Sequence, residues 1–252
     1  MEDINFNRGT IKPIECLKQG WALIKDQYWL FLGIVIVGLI ISSLAPLGIL
    51  LGPMMCGIYF ALLKKMRGET VSFEMLFKGF DYFKAGAITS IIQVAPVMVL
   101  YLIFYLPLVI FRITKLMAEM KSLEGRRGEP PDLSDMFATV GLEYAVIGGI
   151  TIIAYILAIF FFFCYPLIAE RNLTAKEAIK TSYRAGLGNI GGVICLLLLQ
   201  FLLSIVGVLA CYVGAILLIP IIYASNLVAY KQVFPDSQGS FTNEPPMPPK
   251  EW

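Results

Sequence analysis

Residues Trp29–Ala45 read WLFLGIVIVGLIISSLA, and this uncharged stretch decides the fold. A second uncharged stretch, Leu47–Leu63, follows directly after Pro46. Runs of roughly 18 apolar residues are long enough to cross a bilayer. Lipid offers the backbone no hydrogen-bond partners, so a spanning chain forms helices or a closed barrel, and these continuous runs lack the alternation of barrel strands. The sequence therefore predicts an all-α, polytopic bundle of membrane helices.

The same arrangement recurs near the other end of the chain. An amphipathic segment, Pro13–Tyr28, precedes the first two apolar runs. Another amphipathic segment, Thr174–Asn189, precedes the runs Ile190–Leu209 and Tyr212–Tyr230. We interpret this order as a pseudo-repeat of the first and last helix pairs, each introduced by an interfacial amphipathic helix.

The composition agrees with a membrane protein. Hydrophobic residues make up 58% of the chain and charged residues 15%, with a mean hydropathy of +0.77, whereas soluble domains carry about 25% charged residues. The first apolar run starts only at Trp29 and lacks the small-residue cleavage site of a signal peptide. We therefore expect the first helix to remain as a membrane anchor.

Six transmembrane helices are predicted from the apolar runs. The membrane helical domain comprises residues 1–234, with 112–140 as an inserted linker. The Pro-rich tail, 235–252, has too few apolar residues to form a core and is predicted to be disordered. The predicted spans are 29–45, 47–65, 85–111, 141–168, 190–209 and 212–231.

The distribution of basic residues predicts the orientation. With the N-terminus inside, the inner segments carry 15 Lys and Arg, while the outer linker carries 5. Cytoplasmic loops of membrane proteins are enriched in these residues. Both termini are therefore predicted to be cytoplasmic, in a bacterial cytoplasmic (inner) membrane. A re-entrant third or fourth span would instead move the linker 112–140 to the inside.

Aromatic residues mark candidate surfaces for lipid or for a partner. Apolar side chains recur at helical spacing in the amphipathic segments, with lysines beside them, as in helices at the headgroup boundary. Such stripes serve either as a structural collar or as a contact surface, and the tail is either solvated or a docking strand. The spacing of Thr174 and Glu177 matches a capping box and predicts a helix start near Ala175. The candidate contact residues are Trp21, Phe73, Phe77, Phe80, Phe241 and Trp252.

The predicted spans contain mild polar residues and almost no charge. Gln93, Gln200 and Asn226 are suited either to hydrogen bonds between helices or to the lining of a cavity. Gly52-Pro53 and Ile219-Pro220 occupy corresponding places in the two helix pairs. Interrupted helices in matching halves are typical of transport sites, although no charged coupling residue accompanies them here.

No motif in the sequence indicates catalysis. The chain contains no histidine, the commonest general base and metal ligand. Its five cysteines form no CxxC pair, and four of them lie in apolar runs. We therefore expect no catalytic residue, cofactor or metal site, and the chain is predicted not to be an enzyme. The expected partners are the lipid bilayer and other membrane protein subunits, and no nucleic acid.

Three stretches of the chain resemble a broad family of bacterial six-span membrane proteins of unknown function. That family is related to the membrane domain fused to some glycerophosphodiester phosphodiesterases. The resemblance covers most of residues 15–235 and implies the fold and a cytoplasmic-membrane location, but no catalytic residue; the linker 112–140 is longer than the family pattern. The stretches are Gly52-Pro53 to Phe80 with Arg67-Gly68-Glu69, Tyr165-Pro166 to Ser182 with Glu170-Arg171-Asn172, and Leu218-Ile219-Pro220 to Phe234.

Two functional hypotheses follow. The first is a non-enzymatic structural or accessory subunit of a larger membrane assembly, which the long linker and the aromatic residues of the tail favour. The alternative is a transporter or lipid-handling protein with a cavity between the two repeat halves, which the paired prolines favour.

Overall fold

The described part of the protein is built from helices. A computed structural model describes residues 4–123, 133–209 and 213–235, and no strand is found among them. Short 3₁₀ helices and one π turn join some of the α-helices. The α-helices are α1, Pro13–Ile24; α2, Tyr28–Ser43; α3, Leu51–Met66; α4, Phe83–Leu100; α5, Leu106–Leu123; α6, Leu133–Phe161; α7, Cys164–Arg171; α8, Ala175–Gly188; α9, Ile190–Leu209; and α10, Val213–Val233.

Within residues 4–123, 133–209 and 213–235, five helical segments are long and apolar enough to cross a bilayer. The all-helical class is thereby confirmed, and a multi-pass membrane protein is compatible with the structure. The count of six spans, the pseudo-repeat and the interfacial position of the amphipathic segments remain predictions. The five segments are Pro13–Ser43, Phe73–Ala118, Val140–Arg171, Ile190–Leu209 and Val213–Val233.

The predicted second span, residues 47–65, corresponds to α3, which has only 16 residues. Pro46–Gly48 forms a 3₁₀ turn in which Gly48 has a φ of +68°, a backbone conformation that favours glycine. The helix therefore starts at Leu51 and is about 24 Å long. It is also central to the core, because most of its side chains are buried.

The 3₁₀ segment that follows α3 contacts it backbone to backbone. The 3₁₀ segment Phe73–Tyr82 passes so close to α3 that a Cβ atom at Gly57 would lie 2.0 Å from the Leu76 carbonyl oxygen. A Cβ atom at Gly79 would lie 2.0 Å from the Pro53 carbonyl oxygen. Only glycine permits such an approach without displacing the backbone, so these positions fix the 3₁₀ segment against α3.

Helix α1 runs antiparallel to α10. The Lys12 amide donates to Gln232 Oε1, and the Tyr28 hydroxyl donates to the Leu217 carbonyl. Between these two contacts, a Cβ atom at Gly20 would lie 2.7 Å from the Ser225 amide nitrogen. A helix that follows α10 over this length is directed along it, whereas the sequence predicted that residues 13–28 lie in the plane of the headgroups. The interfacial position of residues 13–28 stays a prediction.

The third predicted span continues well beyond its predicted end. Helices α4 and α5 are joined by a π turn at Tyr101–Tyr105, in which the Leu106 amide donates to the Tyr101 carbonyl. Pro107 follows directly and has no N–H to donate to the carbonyl four residues earlier. A π turn accommodates this local break in the α-helical hydrogen bonds. Residues 112–123 and 133–140 of the predicted linker are helical, while 124–132 lie outside the described residues.

Candidate functional site

The polar residues predicted for the spans are engaged with neighbouring helices. Gln200 Nε2 donates to Ser225 Oγ at 3.0 Å and to Asn226 Oδ1 at 2.7 Å, joining α9 to α10. The Tyr165 hydroxyl donates to Gln93 Oε1 at 2.6 Å, joining α7 to α4. Gln93 thus has a different partner from Gln200 and Asn226. Each of the three side chains thus has at least one hydrogen bond to a neighbouring helix, as in one of the two roles predicted for them.

A buried carboxylate at the ends of three helices is the most polar feature of the core. The Glu170 side chain, only 7% exposed, accepts hydrogen bonds from the Tyr230 hydroxyl at 2.5 Å and from the Lys231 ammonium group. Arg67 approaches the same carboxylate at 3.4 Å. A buried charge is tolerated only with such partners. The cluster of Arg67, Glu170, Tyr230 and Lys231 therefore fastens the C-terminal ends of α3, α7 and α10 together.

Sequence reasoning did not predict this cluster. Arg67, Glu170 and Tyr230 each lie in one of the three stretches that carry the family resemblance. More than 50 residues separate each from the next along the chain, and no local periodicity connects them. One signal could have suggested the cluster: a carboxylate and two cations lie at the ends of apolar runs. Charge at such positions is costly and is usually paired.

The predicted aromatic stripe lies on the surface. Phe73, Phe77 and Phe80 are between 37% and 44% exposed, and Trp21 is 46% exposed. The rings of Phe73 and Phe77 meet edge to face with their centroids 6.3 Å apart. The structure leaves these side chains accessible to lipid or to a partner and does not distinguish between the two. Phe241 and Trp252 lie outside the described residues.

Helices α4 and α5 form one long arm that pairs with α6. In the first half of α5, Arg112 Nη1 donates to Glu143 Oε2 at 2.7 Å, an ion pair that joins α5 to α6. Beyond this ion pair, α5 has a row of apolar side chains, each more than half exposed. That row is Ile113, Leu116, Met117 and Met120.

Helix α8 begins where its capping box predicted. The Glu177 carboxylate accepts hydrogen bonds from the Thr174 amide at 3.1 Å and from the Thr174 hydroxyl at 2.7 Å, and the helix starts at Ala175. Because these bonds favour the ionised form, they lower the pKa of Glu177 below the usual value of a carboxyl group. The exposed face of α8 carries Lys176, Lys180 and Arg184.

Among the cavities between the described helices are three that Gln93, Gln200 and Asn226 do not line. One of about 220 Å³ lies between α4 and α6, around Val97 and Ala154. Another, of about 280 Å³, lies between the start of α4 and the loop before α8, near Lys84 and Asn172. The third is an apolar groove of about 330 Å³ between α6 and α9.

Nothing in the described part of the chain groups histidine, cysteine or acidic side chains closely enough to bind a metal ion. Cys16, Cys56 and Cys164 are buried free thiols. No family model, curated protein or solved structure matches this chain.

Proposed function

We propose that this protein is a non-enzymatic structural or accessory subunit of a larger membrane assembly, and that the arm formed by α4 and α5 is its docking element. The observation that carries the proposal is the length of the arm together with its exposed apolar row. The proposal treats the protein as one of the six-span bacterial membrane proteins that it resembles, in the cytoplasmic membrane with both termini in the cytoplasm.

The arm is longer than a bilayer is thick. Helix runs without interruption from Phe83 to Leu123, and at about 1.5 Å per residue it extends about 60 Å. A bilayer is about 40–45 Å thick with its headgroup layers. If the helix lies near the membrane normal and enters the headgroup layer at Phe83, about 15 Å at the end of α5 extends into water.

The end of the arm exposes a row of apolar side chains that water solvates poorly. Ile113, Leu116, Met117 and Met120 are between 51% and 65% exposed and form one row at helical spacing. In lipid such a row would need no cover, but beyond the headgroups it favours a contact with another protein. Flexible methionine side chains also suit a binding surface that adapts to its partner.

The contacts at the opposite end support the proposed orientation. The Asn7 amide donates to the Val233 carbonyl, so residues near the two termini lie on the same side. Arg67 and Lys231 meet at Glu170 on that side. Basic residues concentrated at one end of the molecule favour the cytoplasmic face.

The transport alternative has less support from the described residues. It requires a polar cavity near Gln93, Gln200 and Asn226, but these side chains bond to neighbouring helices. Satisfied polar groups in a membrane interior strengthen helix packing and leave fewer sites for a solute.

The test is purification of the tagged full-length protein from its native membranes in a mild detergent, with mass spectrometry of co-purifying proteins. We expect a stoichiometric protein partner that is lost from the variant Leu116→Ser/Met120→Ser. The control Thr114→Ser/Lys121→Ser changes exposed residues on another face of α5 and should retain the partner. Deletion of residues 235–252 measures whether the tail contributes to the same contact.

Two outcomes would contradict the proposal. If the partner remains with the apolar-row variant, the arm is not the docking element. If the protein purifies alone with a specific lipid or small molecule, the accessory role is wrong and the transport or lipid-handling alternative gains support. Elution volume and thermal stability of each variant in detergent show that it remains folded.

A further inference from the structure

The groove between α6 and α9 is open along the outer surface of the described helices. Only apolar and aromatic side chains line it, including Ile152, Ile156 and Ile159 from α6 and Ile194, Leu198 and Phe201 from α9. It follows each helix for about seven residues, or about 10 Å. Its volume of about 330 Å³ lies within the range of ligand pockets, about 300–1,000 Å³.

One end of the groove lies directly beside α8. A Cβ atom at Gly186 would lie 2.8 Å from the Ile159 carbonyl oxygen, so α8 crosses α6 at the last residue of the groove lining. The rings of Tyr183 and Phe160 are 5.0 Å apart and cover the same crossing. Toward the other end, the rings of Tyr155 and Phe201 meet edge to face at 6.3 Å and narrow the groove.

The exposed face of α8 is basic at this end of the groove. Lys176, Lys180 and Arg184 follow one another at four-residue spacing, which aligns them along one side of the helix. Tyr183 and Leu187 are exposed on the same side and lie one turn or less from Arg184. The cations begin at Arg184, two residues from the crossing at Gly186, and continue along α8 to Lys180 and Lys176, away from the groove. An occupant that extends from the groove along the exposed side of α8 should have an apolar tail and an anionic head.

We propose that this groove binds one acyl chain of an anionic phospholipid, with the phosphate headgroup on the basic face of α8. The lipid follows from the wholly apolar and aromatic lining of the groove and from charge complementarity between a phosphate and the cations of α8. The site is separate from the arm. It requires only that the protein lies in a membrane, so it stands whether or not the arm binds a partner. A bound lipid here would fill the gap between α6 and α9 and support their packing.

The site is tested by native mass spectrometry of the full-length protein released from phosphatidylcholine nanodiscs that contain phosphatidylglycerol with the same acyl chains. We expect one phosphatidylglycerol molecule to stay bound in preference to phosphatidylcholine. Each lysine near an anionic surface contributes about a fivefold preference, so Lys176→Gln/Lys180→Gln should reduce the preference by about 25-fold. Leu198→Trp, which fills the groove, should remove the bound lipid.

Matched controls separate this site from general lipid contact. Lys18→Gln/Lys25→Gln removes two exposed cations from the amphipathic segment that includes α1, and Ile216→Trp enlarges an exposed apolar residue on α10. Both should retain the bound phosphatidylglycerol. Inorganic phosphate and glycerol phosphate should not displace it, since neither has an acyl chain.

Several results would overturn the proposal. Equal retention of the two lipids would show that the basic face does not select a headgroup. Equal loss in the groove variant and in Ile216→Trp would show ordinary surrounding lipid. Displacement by inorganic phosphate would show a free-anion site, and a lipid-free dimer would show that a second copy of the chain occupies the groove. Co-purification of a protein partner through the arm is measured separately, so either proposal can fail alone.

Discussion

Replacing Gly57 by alanine should destabilise the protein through a single added carbon atom. A Cβ atom at this position would lie 2.0 Å from the Leu76 carbonyl oxygen and 2.9 Å from the Leu76 carbonyl carbon. Carbon and oxygen atoms in close contact are about 3.3–3.6 Å apart. The 3₁₀ segment and α3 must therefore separate by more than about 1 Å, and backbone atoms cannot rotate away as a side chain would.

The cost can be estimated from overpacked cores. Added methyl groups in well-packed interiors cost about 1–3 kcal/mol, and this contact is between backbones, so we expect the upper part of that range. About 2–4 °C of Tm is lost per kcal/mol in a chain of this size. The assay is thermal unfolding of the purified protein in detergent, followed by the loss of its monodisperse elution peak.

A matched glycine provides the control. Gly149 lies within α6, and a Cβ atom there would meet no other atom within 4 Å. Gly149→Ala should leave Tm unchanged or raise it, because alanine is favoured over glycine in helices by about 1 kcal/mol. If Gly57→Ala unfolds at the same temperature as Gly149→Ala, the backbone contact is absent and the packing of α3 described above is wrong.

A second substitution on the facing segment tests the same contact. Gly79→Ala places a Cβ atom 2.0 Å from the Pro53 carbonyl oxygen and 2.7 Å from the Gly57 amide nitrogen. Both single substitutions force the 3₁₀ segment away from α3, so the double variant should lose less stability than the two losses added together. Strict additivity would show that the two glycines contact different elements.

Two further predictions concern charged groups. Glu170→Ala should destabilise the protein by about 3–5 kcal/mol in thermal unfolding, because it removes the buried carboxylate that accepts hydrogen bonds from Tyr230 and Lys231. Glu69→Ala removes a more exposed ion pair and should cost about 0–1 kcal/mol. Equal effects would argue against the buried cluster. The lowered pKa of Glu177 means that its contribution to α8 is complete above the ordinary carboxyl pKa of 4.5 and is lost as the pH falls below it through the lowered value. The measurement is hydrogen exchange of the backbone amides in the first turn of α8, corrected for the intrinsic effect of pH. Protection of these amides should fall at low pH in the wild type but not in Glu177→Gln. Identical pH profiles of protection in the two proteins would contradict the prediction.

Local signals in the sequence predicted some features closely. The capping box at Thr174 and Glu177 predicted a helix start near Ala175, and α8 begins there. The apolar run Ile190–Leu209 coincides with α9. Both succeed because the relevant interactions lie within a few residues along the chain.

Other features were predicted only in part. The third span was expected to end near residue 111, but its helix reaches Leu123. The ion pair that joins α5 to α6 is formed by Arg112 and Glu143, and no local pattern in the sequence connects these two residues. The polar residues Gln93, Gln200 and Asn226 were expected either to line a cavity or to form interhelical bonds, and the sequence could not select between the two roles. Their partners lie 25 or more residues away.

The sequence by itself determined the class of this protein. Long uncharged runs can be stable only in lipid or in a large core, and their continuity requires helices, so an all-helical membrane protein follows from composition and periodicity alone. The tertiary structure decided which backbones touch, as at Gly57 and Leu76, and which charges meet, as at Glu170 and Lys231. It also directed α1 along α10. Such contacts depend on the three-dimensional packing of segments distant in sequence, and no local pattern of residues encodes them.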